Sequence, residues 1–354
     1  MKSVDVGSLP FQGDSEALRR GAEGGADQEY FEKIVVEYYL GKLKAGLDVA
    51  TYPQLRDMCT MFLDNLYGLI KVENRYASVE TIRPKRKSIA EVDAIFKHSQ
   101  KIYEELEKPF EMRVCVTGPY TLASYLIGAD VEQILGLGEA LYQIAESSIQ
   151  RGRYGCAVML CIEEPLLGVV DDPRLDYGGE WCEALLKAWD RVFYAASAQG
   201  VVCAMHLHST ANRIFWDVDR LEVIETEADD PILRSEKTRS LLEKYGKKLK
   251  ASVCITDTNK LAEKAAERSS RYSSLPKEQR IGQIWADIKR GREDPSILLE
   301  SVEEIQSRLN QIVSLMGKDN IPYAGPECGL RGFLSLETAL HYLKRCSDVV
   351  KRFA

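Results

Sequence analysis

No stretch of this 354-residue chain approaches the roughly 20 consecutive apolar residues that a membrane span requires. The N-terminus, Met1-Lys2-Ser3-Val4-Asp5-Val6-Gly7, also lacks the apolar core of a secretory signal. The expectation is a cytoplasmic protein without membrane contact. Positive charge is not in excess. A net charge of -7 argues against a general nucleic-acid or anionic-lipid binder. There is no internal repeat and no low-complexity tract. No Gly-x-Gly-x-x-Gly turn follows the first apolar run, which weighs against a dinucleotide-binding open sheet. The nine cysteines show no spacing framework, and an odd number in a long acidic chain fits reduced thiols better than disulfides. Cys115, Cys156, Cys161 and Cys254 lie in or beside apolar runs, where packing is their ordinary role. Histidine is scarce: there are four, and two of them fall two residues apart.

What the chain does have is alternation. Short apolar runs at 4–8, 47–51, 113–117, 157–163, 201–207, 221–227, 250–256 and 321–324 read as strands. Helical patterns lie between them, among them 28–45, 137–154, 180–197 and 298–316. Strand followed by helix throughout implies parallel strands joined by crossovers. Eight such units predict an α/β protein with a (β/α)8 TIM-type barrel and insertions, one catalytic domain over residues 1–354. Residues 67–87 alternate like a hairpin placed over the mouth of the barrel. Residues 260–292 form a helical insertion with many cations, including Arg268, Arg271 and Arg280. It reads either as a solvated insertion or as a docking surface near the active face.

Three stretches carry chemistry. Cys203-Ala204-Met205-His206-Leu207-His208 ends one strand, Glu222 to Glu227 ends the next, and Pro326-Glu327-Cys328-Gly329-Leu330-Arg331 follows the last. Residues two apart on a strand face the same way, so His206 pairs with His208 and Glu225 with Glu227. Barrel chemistry sits at strand C-terminal ends. Imidazole, carboxylate and thiolate gathered there predict a metal, and mixed N, O and S ligands point to zinc. A free thiol, with a pKa of about 8.5, is mostly protonated at neutral pH. On zinc it loses that proton and becomes a strong nucleophile. The matching reaction is attack on an electrophilic carbon, most simply a methyl group.

At these residues the chain resembles the catalytic C-terminal barrel of cobalamin-independent methionine synthase, within the wider family of zinc thiol methyltransferases and uroporphyrinogen decarboxylase. Val6-Gly7-Ser8-Leu9-Pro10 resembles that family's opening Ile-Gly-Ser-Phe-Pro. Thr117-Gly118-Pro119-Tyr120-Thr121, Ile162-Glu163-Glu164-Pro165, Val223-Ile224-Glu225-Thr226-Glu227 and Pro326-Glu327-Cys328-Gly329-Leu330 match four further motifs in order. The resemblance implies zinc ligands at His206, Glu227 and Cys328. It also implies that Ser8 and Glu163 hold the amino-acid part of homocysteine, Glu163 against the ammonium. Glu163 also reads as an ordinary interior ion-pair member.

Three departures shape the expectation. The family's His-x-Cys is here His206-x-His208, so His208 is favoured as fourth ligand; Cys203, an odd number of residues from His206, points the other way on a regular strand. The family's Asp-Met-Val-Glu is here Asp57-Met58-Cys59-Thr60. Asp57 stays a catalytic candidate and Thr60 a substrate contact, but the carboxylate that meets the substrate amino group is gone. An acceptor without ammonium, such as coenzyme M, becomes the alternative, with Arg56 or Arg331 as its anion partner. The large N-terminal half of the folate-dependent enzyme is not in the sequence, and no Asp-x-His-x-x-Gly corrinoid signature occurs. The expected donor is therefore a methyl-corrinoid carried by a partner protein, ahead of methyl-folate. A metal-free porphyrinogen decarboxylase and a non-catalytic binding module are the remaining readings.

Overall fold

The computed structural model of the protein describes residues 1–269, 272 and 274–353. Its strands in chain order are β1 (Lys2–Ser3), β2 (Val49–Thr51), β3 (Leu66–Val72), β4 (Arg75–Pro84), β5 (Phe110–Thr117), β6 (Gly155–Glu164), β7 (Val202–Leu207), β8 (Val223–Glu225), β9 (Lys248–Cys254) and β10 (Tyr323–Pro326). Eight of them form one parallel sheet in the order β1-β10-β9-β8-β7-β6-β5-β2. A parallel bridge between Val4 and Val49 nearly closes the ring into the expected barrel. β3 and β4 form an antiparallel hairpin, and the 310 and α-helices pack outside the ring. The hairpin leans on residues 125–127 through Tyr76, whose N–H donates to Tyr125 O.

Closure between β1 and β2 depends on Lys42, from helix Gln28–Lys44. Its buried ammonium donates to Asp5 Oδ2 (2.7 Å), Gly7 O (2.6 Å) and Thr51 O (2.9 Å). All three donors are satisfied, which is the condition for burying a lysine. The first strand ends earlier than the expected 4–8. Past the last bridge at Val4, Gly7 takes φ +142°, where a Cβ would lie 2.6 Å from Gln54 Cδ, and the chain turns there to bring Ser8 against Gly329.

The insertion after β9 consists of helices Thr258–Arg268 and Lys277–Lys289. Three of its cations are engaged close by. Arg268 pairs with Glu304 and Arg292 with Asp287, while Arg280 donates to Leu275 O. Arg271 lies outside the described residues.

One carboxylate ties this side of the barrel together. Glu300, with a fully buried side chain, accepts from Ile255 N (2.8 Å), Lys264 Nζ (2.7 Å), Arg308 Nη2 (2.6 Å) and the Tyr342 hydroxyl (2.8 Å). Against the desolvation that would raise it, this set holds its pKa down at about 2, from 4.5. A depressed carboxylate stabilises the fold above the unfolded pKa, and that contribution disappears as pH falls from 4.5 towards 2. At 1.36 kcal/mol per unit this amounts to about 3 kcal/mol. Urea unfolding followed from pH 6 to pH 2 should show this loss in the wild type, and Glu300→Gln should flatten the slope while lowering stability at pH 6.

Candidate metal centre

Parallel pairing sets Glu163 on β6, His206 on β7 and Glu225 on β8 in one register row. Residues in such a row share a face of the sheet. His208 lies just past the end of β7, and Cys328 just past β10. One ligand atom from each of His206, His208 and Cys328 lies within 4.8 Å of the others. The Cys328 thiol is 3.4 Å from His208 Nε2, and the two imidazole rings stand edge to face with centroids 5.3 Å apart. Burial lowers the pKa of His206 far below its usual value and lowers that of His208 too, so both are neutral, the form that binds metal. Burial pushes the Cys328 thiol up to about 11. Both ring nitrogens of His206 are buried without a hydrogen-bond partner among the described residues. Each orphan costs about 1–3 kcal/mol, which a bound cation would relieve at one of them. Two imidazoles and a thiolate are a donor set that suits zinc.

The loop after β10 is placed by close contacts. Glu327 accepts from Ala228 N (2.9 Å) and Thr256 N (2.7 Å), clipping the ends of β8 and β9 to Cys328's neighbour. A Cβ at Gly329 would lie 1.9 Å from Ser8 Oγ, so glycine is what lets the two mouth loops touch. Leu330 N donates to Ser8 O at 2.8 Å.

Two expectations meet the structure differently. Cys203 points away from the group, its thiol directed at the carbonyls of Phe193 and Val201, as strand parity predicts. Glu227 stands outside the group as well. β8 ends at Glu225, so the two-residue alternation does not carry through to Glu227. The Glu227 carboxyl is pushed up by burial and by Glu327. The carboxylate beside His206 is Glu225, with Oε2 3.8 Å from Nδ1. The same oxygen lies 3.0 Å from Arg113 and 3.5 Å from Lys250.

The substrate candidates also separate. Glu163 is buried, and Gln54 Nε2 donates to both its oxygens at 3.1 Å. Burial raises the Glu163 pKa, opposed by Arg113 and Gln54. Gln54 was not singled out from the sequence; its place just past β2 was the available signal. Asp57 Oδ1 accepts from Thr60 N (2.8 Å) and Cys59 N (3.2 Å) at the start of the helix Thr60–Leu63. Arg56 forks onto the buried Glu91 through two 2.7 Å bonds. Glu164, adjacent to Glu163, faces another way. It accepts from Tyr120 N, Thr121 N, Thr121 Oγ1 and Trp189 Nε1, and so fixes the turn at 117–121.

Among solved structures the chain is similar to a B12-independent methionine synthase from Shewanella sp. W3-18-1 in complex with selenomethionine, at 15% identity and TM-score 0.59 over 99% of this chain and 98% of that one. A putative vitamin-B12 independent methionine synthase from Listeria monocytogenes superposes with TM-score 0.63 at 13% identity, covering 100% and 98%. A methyltransferase from Methanosarcina mazei gives 0.55 at 15%, covering 100% and 95%. At these identities the likeness establishes the fold. No protein-family model matches the chain, and no curated protein does.

Cys328→Ser and His206→Ala should each strip zinc from the protein, read as metal per chain by mass spectrometry, because hydroxyl and methyl are poor or absent ligands. Cys203→Ser should keep full occupancy. Full zinc in both of the first two variants would reject this group as the metal centre.

Proposed function

We propose that the chain is a zinc-dependent methyltransferase that moves a methyl group to a small thiol. The leading acceptor is homocysteine, giving methionine, and the leading donor is a methyl-corrinoid on a partner protein. The observation that carries this reading is the convergence of His206, His208 and Cys328 at the barrel mouth. The fold shared with two proteins described as B12-independent methionine synthases agrees with it.

Zinc held here would lower the acceptor thiol's pKa and position its sulfur. The chain's own residues would do the rest. The neutral imidazoles and Cys328 would hold the ion, with Glu225 alongside His206. Glu227 would have to swing in to serve as the carboxylate ligand the sequence implied. Glu163 would face the ammonium of homocysteine, with Gln54 keeping both its oxygens oriented. The backbone near Ser8 would border the acceptor, and Asp57 would keep Thr60 in place beside it. The acceptor's sulfur pair forms the new S–CH3 bond, and the donor keeps the electron pair of the bond that breaks. Leu166, Val169 and Val170, exposed after β6, form an apolar rim that suits the flat face of a corrinoid. Free cysteines throughout fit a cytoplasmic setting. A second reading changes the acceptor to a sulfonated thiol of the coenzyme M type; Thr60 in place of a carboxylate favours it.

Methylcobalamin should support methylation of homocysteine by the zinc-loaded protein better than methyl-folate does. Glu163→Gln should raise the KM for homocysteine about ten- to hundredfold, the value of a lost charge-assisted hydrogen bond. Turnover with methyl-folate alone would reject the donor, and an unchanged KM would reject the role of Glu163.

A further inference from the structure

A cavity of about 620 Å³ opens between the helix Ser15–Glu23, the chain after β2, the foot of the hairpin and Arg331. Small-molecule sites run roughly 300–1,000 Å³. Two chain segments serve both this cavity and the metal-capable group. Gln54 holds Glu163, and its neighbour Leu55 lines the cavity. Cys328 faces His208, and Arg331 three residues on lines the cavity. Arg331 Nη2 approaches Leu55 O at 3.4 Å, joining the two segments along this wall.

The cavity's buried apolar lining includes Leu18, Phe62, Ile89 and Ile144. Its polar lining has five cations, Arg19, Arg56, Lys85, Arg86 and Arg331, against three acids, Glu23, Asp57 and Asp64. Four of the cations are committed. Arg19 pairs with Glu16 and Glu23, Arg56 with Glu91 and Arg86 with Asp93, while Lys85 donates to Asp64 O. Arg331 has no acidic partner among the described residues and is exposed. A guanidinium is a planar fork matched to a carboxylate or sulfonate. An apolar lining beside it suits a methylene chain.

We infer that Arg331 is the anion-binding residue for the acceptor, and that the acceptor class is a short thiol ending in a carboxylate or sulfonate whose tail lies in this cavity. This rests on the thiol methyl-transfer reading. It removes Arg56 as the anion partner, because Glu91 already occupies its fork. It also adds the anion to the ammonium as a group by which the acceptor is recognised.

The test uses zinc-loaded wild type and Arg331→Gln with methylcobalamin and three thiols on the same four-carbon chain: homocysteine, 4-mercaptobutyrate and 4-mercaptobutan-1-ol. In the wild type, 4-mercaptobutyrate, which lacks the ammonium that Glu163 would face, should have a KM about ten- to hundredfold above that of homocysteine, and the neutral alcohol a KM at least about tenfold higher again. Arg331→Gln should raise the KM of both anionic thiols about ten- to hundredfold. It should leave kcat, and the KM of the alcohol, nearly unchanged. Arg331→Lys should recover part of the loss. A variant that affects all three thiols alike would overturn the role of Arg331. Turnover of homocysteine with 4-mercaptobutyrate inert would overturn the acceptor class. Calorimetric titration with butane-1-sulfonate, which has no thiol to methylate, separates the two levels. Binding to wild type and not to Arg331→Gln supports the anion site even if no thiol is methylated, an outcome that would sink the methyl-transfer reading alone. Absence of binding to wild type would overturn the anion site.

Discussion

The barrel is organised around a buried ionic contact. Arg113 from β5, Glu225 from β8 and Lys250 from β9 meet inside the ring, each with a fully buried side chain. Moving such charges out of water costs several kcal/mol each, and pairing offsets it only when the partners stay in place. The contact reaches further through neutral partners. Arg113 also donates to Asp5 O, and Lys250 to Pro326 O. It therefore links the ends of β1 and β10 with the middle of the ring. His206 rests on the same Glu225. Removing one member would leave an uncompensated charge beneath the metal-capable group, at a cost of about 3–5 kcal/mol.

Carboxylates do most of the remaining positioning. Glu164 gathers the turn after β5, Glu327 clips the ends of β8 and β9, and Glu300 joins β9 to three outer helices. Each takes donors that the loops at strand ends would otherwise leave unpaired. The strand-end loops around the metal-capable group are thus tied to one another. Burial raises Glu164 to about 6 even with four donors around it, whereas cationic partners hold Glu300 at about 2. Charge partners and a shallower burial together set Glu300 apart from Glu164.

The proposed division of labour follows from this frame. The metal-capable group sits at strand ends, on elements with little freedom. The cavity beside it is bounded by a helix, a hairpin and loops, where size and charge can vary without disturbing the barrel. On this reading the reacting sulfur is handled by the barrel and the acceptor's tail by the surrounding segments.

Much of the fold was legible because alternation of short apolar runs and helical patterns is a one-dimensional signal. The helix Glu180–Ser197 and the strand ending at Leu207 emerge where periodicity puts them. His206, His208 and Cys328 were visible as rare residue types at strand ends. The sequence could not determine where each strand stops. β8 ends at Glu225, two residues before its apolar run suggests, and that selects Glu225 over Glu227 as the neighbour of His206. Adjacent Glu163 and Glu164 look alike in one dimension, yet one faces Gln54 and the other takes Trp189 and the turn at 120–121. Arg56 and Arg331 look equally available until Glu91, 35 residues from Arg56, occupies the first. Composition and periodicity therefore determined the barrel and the kinds of ligand it offers. Strand register and long-range charge pairing, which exist only once the ring has closed, decided which of those side chains meet.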